Sequence, residues 1–97
     1  MHIQAFSIAF DVAKRLVEVT RREIWAGHYH HVKECFALAE EWLREGSSQE
    51  KLAIVNVFLY SIATTIDQLG AQRRKIQAML PPLLKREYLS QVNGLSV

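Results

Sequence analysis

An all-α chain, folded as a small bundle of three main helices with a short C-terminal helix after a Pro-Pro corner, follows from three features of the sequence. Apolar residues recur at steps of three and four over three long stretches, which is the period of one helix face. Glycines interrupt the pattern at Gly27, Gly46 and Gly70, and the pair Pro81–Pro82 turns the chain once more near its end. With 97 residues the chain has room for one core, so residues 1–97 are read as a single domain.

The first helix, over residues 3–26, carries the stripe Ile3, Phe6, Phe10, Ala13, Val17, Thr20 and Ile24. A second stripe lies beside it: Ala5, Ala9, Val12, Leu16 and Val19. Only a narrow polar face remains, formed by Gln4, Ser7, Asp11, Lys14, Glu18 and Arg21. A three-helix core needs about one stripe per helix, so this helix has apolar surface to spare. Ala9, Val12, Leu16 and Val19 are therefore the candidate interface, unless the final helix covers them.

After Gly27 the second helix runs over residues 29–45. Tyr29, Val32, Phe36, Ala39 and Leu43 form its core face, widened by Cys35, Leu38 and Trp42. Its far side is acidic, and Glu40, Glu41 and Glu45 read as a solvated face. The connector at Gly46 is short, and Ser47 with Glu50 has capping-box spacing. Helices two and three thus form an antiparallel hairpin. Its length matches one HEAT-type repeat, but a solenoid needs at least three such units.

The third helix, over residues 48–69, shows an a/d rhythm of Leu52, Val55, Leu59, Ile62, Ile66 and Leu69. Beyond Gly70, the basic run Arg73, Arg74, Lys75 suits a short turn ending by Leu80, because a following proline disfavours the α region. The last helix, over residues 82–92, can begin on proline and would cover one end of the bundle with Leu84, Tyr88 and Leu89. Asn93 and Gly94 stop it.

Composition excludes more than it names. No stretch approaches about 18 uninterrupted apolar residues, so neither a membrane span nor a signal peptide is expected. The single cysteine, Cys35, cannot form an internal disulfide, which suits the cytoplasm. No Gly-rich phosphate loop, Walker lysine or dinucleotide fingerprint is present, and no catalytic or cofactor-binding residue stands out. Asp67, late in the third helix, has the role of a surface or inter-helix hydrogen bond. His28, His30, His31, Glu34 and Cys35 have metal-ligand side chains, with His31/Cys35 and His30/Glu34 at i, i+4. A structural zinc wants four closed ligands at Cys-rich spacings, which are not met, and His2 does not complete them; no metal is expected. Lys14, Arg15, Arg21, Arg22, Arg73, Arg74 and Lys75 would need to share one surface to bind nucleic acid, and the third helix is too apolar for a groove-reading helix.

Four segments carry a resemblance: His31-Val-Lys-Glu-Cys-Phe36, Ala39-Glu-Glu-Trp-Leu-Arg-Glu-Gly46, Asn56-Val-Phe-Leu59 and Leu80-Pro-Pro-Leu-Leu-Lys-Arg-Glu-Tyr88. In these the chain resembles a family of short, uncharacterised bacterial helical proteins, a domain of unknown function. The resemblance implies a fold without an assigned activity, and a role as an immunity or accessory partner in bacterial interaction loci. Taken with the residues themselves, the expected function is that of a non-enzymatic protein-interaction module, a homodimer or a binder of another protein. The alternative is a nucleic-acid-associated regulator.

Overall fold

The computed structural model describes residues 2–94, with side-chain surroundings for residues 8–92. The chain is all-α, and no strand occurs among the described residues. Helix α1 spans His2–Ala26 and α2 spans Tyr29–Glu45. A third rod follows, made of α3 (Ser48–Ala53), a π-helical segment (Ile54–Leu59) and α4 (Tyr60–Asp67). The short α5 (Arg73–Ala78) and the final α6 (Pro82–Gly94) complete the fold. The expected core positions Ile3, Ala5 and Phe6 lie outside the residues whose side chains are described.

Each junction has a local cause. Gly27 adopts φ +77°, the left-handed conformation that other residues reach only with strain, and this reverses the chain between α1 and α2. At the next turn the capping box is formed: Glu50 N–H donates to Ser47 Oγ at 3.2 Å and Ser47 N–H donates to Glu50 Oε1 at 2.7 Å. Gly46 is required there for space, since a Cβ would stand 2.5 Å from the Trp42 carbonyl oxygen.

The main core joins Val17 and Ile24 of α1, Val32, Phe36 and Ala39 of α2, and Ile54, Phe58, Leu59, Ile62 and Ile66 of the third rod. Phe36 and Phe58 meet edge to face with ring centroids 6.3 Å apart. The a/d reading of this rod holds for Leu59, Ile62, Ile66 and Leu69, all buried, but fails at its start. Leu52 is 45% exposed and Val55 only half-buried, while Ala53, Ile54 and Phe58 face inward. The π segment explains the shift. Bonding of i to i+5 places more residues in each turn, so adjacent pairs, Ala53/Ile54 and Phe58/Leu59, share the inner face. A smaller cluster of Ala9, Ala13 and Ala53 lets α1 and α3 approach closely. Two buried hydroxyls are satisfied within their own helices: Thr20 Oγ1 donates to the Leu16 carbonyl, and Thr65 Oγ1 to that of Ser61.

Glu40 departs from the solvated face expected of it. Its side chain is buried, and each carboxylate oxygen accepts one backbone N–H from the first turn of α6, Leu83 at 3.0 Å and Leu84 at 2.8 Å. Pro82 opens that helix without an N–H of its own, so Leu83 and Leu84 carry the first orphan donors. The carboxylate also lies at the positive end of the helix dipole. α6 is thereby fastened to α2 and packs on the π segment and α4, burying Leu84 and Tyr88. Leu89, expected to help cover the bundle, is 45% exposed instead. Gln91 Nε2 donates to the Val55 carbonyl at 2.9 Å, and Gln77 Nε2 donates to Tyr88 Oη at 2.9 Å.

Glu40→Ala leaves both N–H groups without partners and should destabilise the protein by about 2 to 5 kcal/mol in urea unfolding, while Glu40→Gln keeps one accepting oxygen and should cost about 1.5 to 3 kcal/mol. The same change at exposed Glu41 should stay within about 0.5 kcal/mol of wild type. In the core, Leu59→Ala and Ile62→Ala should each cost about 2 to 5 kcal/mol through lost burial and a residual cavity.

Candidate functional site

On α1, Val12, Leu16 and Val19 follow one another at steps of four and three, and on antiparallel α2 the set Cys35, Leu38 and Trp42 does the same. Together they form the two walls of an open apolar groove of about 400 Å³, floored by Ala13 and Ile54 and edged by Arg15. Val12 is 43% exposed and Leu38 54%. A second depression, lined by Ile8, Val12, Trp42 and the start of α3, continues the apolar surface toward the start of α1.

The final helix, the alternative cover for this surface, does not lie on it. Leu38 and Glu40 are two residues apart on a helix and so point to opposite sides, and α6 is tied to the Glu40 side. Of the four candidate interface residues, Val12, Leu16 and Val19 line the groove. Ala9 is only 4% exposed because it packs against Ala13 and Ala53 inside the chain. The opposite wall, Cys35, Leu38 and Trp42, is expected from the sequence to widen the core face of α2, but exposed Leu38 departs from that: the three form a second stripe beside the core, the same signal that marks α1.

The groove's rims differ in charge. Arg15 and Arg22 lie one turn before and after Val19, both exposed, while exposed Glu34 and Glu41 lie one turn before and after Leu38. One side is basic and the other acidic.

Beyond the groove, at the α1–α2 turn, Glu23 meets two histidines. His28 Nδ1–H donates to Glu23 Oε2 at 2.6 Å, and His31 Nδ1 lies 3.4 Å from the same oxygen. Glu23 stands apart from the ligand-type residues His28 to Cys35 in the sequence, because it precedes Gly27 and only the reversal at that glycine brings it back. Glu34 and Cys35 do not join this group: Glu34 stands 4.0 Å from His30 on the surface, and Cys35 is a buried free thiol in the groove wall.

The basic residues are dispersed in their contacts. Arg21 Nε–H donates to Thr65 Oγ1 at 2.9 Å, Arg73 lies 3.6 Å from Asp67, and Lys75 Nζ sits 4.1 Å from the centre of the Tyr29 ring. Asp67 is accordingly a surface ion-pair partner.

The hydrogen bond from His28 is the main cause holding the Glu23 carboxyl below its usual range, with His31 adding to it and partial desolvation opposing. A carboxyl depressed in the folded state stabilises fully above its unfolded value, and that contribution is lost as pH falls through the folded one. Glu23→Gln should therefore flatten the acid limb of a plot of Tm against pH, and a limb unchanged in slope would show that the pair does not contribute.

No curated protein and no solved structure matches the chain. A family model covers nearly all of it, and by that match over residues 2–94 the chain belongs to the family described as Domain of unknown function (DUF7674).

Proposed function

We propose that this protein is a non-enzymatic protein-interaction module that pairs with a second copy of itself through the α1–α2 groove. The observation that carries this reading is the open apolar groove with oppositely charged rims. A contiguous apolar surface rimmed by polar residues is characteristic of an association site. The charge pattern favours a second copy as occupant. A two-fold axis running along the groove sets α1 of each subunit over α2 of the other, so Arg15 and Arg22 of one face the acidic rim of the partner subunit. An arrangement that stacked α1 on α1 would bring like charges together.

The proposal also places the protein in the bacterial cytoplasm. The single cysteine supports that placement, as does the resemblance that the segments between His31 and Tyr88 carry to short bacterial helical proteins.

Light scattering and sedimentation should report a dimer at micromolar concentration. Val12→Glu and Leu38→Glu replace exposed side chains, so each should give a helical monomer with an unchanged far-UV spectrum. Arg15→Glu should weaken the dimer, and Arg15→Glu combined with Glu41→Arg should restore it, since both rims are then reversed at that contact. A wild-type protein that stays monomeric at millimolar concentration would overturn the proposal.

A further inference from the structure

The α1–α2 turn holds a constellation that neither the core nor the groove requires. Oε2 of Glu23 and one ring nitrogen from each of His28 and His31 lie within 4.8 Å of one another. They come from three backbone settings: the last turns of α1, the residue after the left-handed Gly27, and the first turn of α2. The carboxylate is largely enclosed, with 15% of its side chain exposed, while the imidazoles are 60% and 57% exposed. The two rings, with their planes at 82°, are thus more open to solvent than the acid they meet.

We propose that Glu23, His28 and His31 form a binding site for a divalent transition-metal ion, of the zinc or nickel class. The two imidazoles are borderline nitrogen donors that suit these ions, and a carboxylate joins them in zinc sites, whereas magnesium and calcium take oxygen ligands alone. Ligands about 2.0 to 2.1 Å from a tetrahedral ion stand roughly 3.3 Å apart. The His31 to Glu23 distance of 3.4 Å already has that value. The His28 to Glu23 contact, at 2.6 Å, is a hydrogen bond whose proton occupies the ion's place. On binding, that proton leaves Nδ1 and the neutral ring is protonated instead on Nε2, so the lone pair of Nδ1 becomes the ligand. Three protein ligands leave one tetrahedral position to water. Unlike the i, i+4 pairs His31/Cys35 and His30/Glu34, the site uses neither Cys35 nor Glu34. It is a surface site at the end of a fold whose core forms without it.

Isothermal titration of the 97-residue chain with Zn²⁺ should show one saturable site in the micromolar range, with Mg²⁺ giving none. His31→Ala and Glu23→Gln should each weaken Zn²⁺ binding by about tenfold or more, while His30→Ala and Cys35→Ala should leave it within about twofold of wild type. His31 is exposed, so its variant tests the site even if the Glu23 variant folds poorly. The proposal is overturned if wild-type protein shows no saturable Zn²⁺ binding, if binding survives His31→Ala, or if His30→Ala or Cys35→Ala abolishes it.

Discussion

Two backbone N–H groups at the start of α6 have a single carboxylate to satisfy them, and the placement of the last helix depends on it. Glu40 reaches both Leu83 and Leu84 because Pro82, which has no donor, shifts the first orphan groups by one residue along the chain. The bond fixes which side of α2 receives α6. Leu84 and Tyr88 then close the core on that side, and the opposite side of α2 is left uncovered. A stabilising contact in one place thus determines where apolar surface stays open in another.

That open surface is a consequence of how α1 and α2 are written. Each carries two apolar stripes, and a compact bundle uses one from each. Small side chains at Ala9, Ala13 and Ala53 draw α1 against α3 and bury the near stripe. The far stripe cannot turn inward at the same time, since a helix has one orientation about its axis. Val12, Leu16 and Val19 therefore meet Cys35, Leu38 and Trp42 across a groove instead of within a core.

Gly27 does more than end a helix. Its positive φ folds α2 back so that Glu23, one turn before the end of α1, lies beside His28 and His31. A tight turn between antiparallel helices places the last turn of one beside the first turn of the next, so polar residues near the turn gather without any contribution from the core.

Much of this architecture is local and was therefore legible in the chain. The helix boundaries at Gly27 and Gly46, the Ser47–Glu50 capping box, the helix beginning at Pro82 and the surplus stripe on α1 all depend on residues within a few positions of one another. What the tertiary structure decided involves partners far apart in sequence. Glu40 and Leu84 are separated by 44 residues, and nothing near Glu40 distinguishes it from Glu41. The inward turn of Ile54 and Phe58 requires a π segment that breaks the simple period from which the face was read. The union of Glu23 with the histidines needs the chain to reverse first. Periodicity records what each helix could bury; only packing selects which stripe is buried, because the helices compete for one shared core.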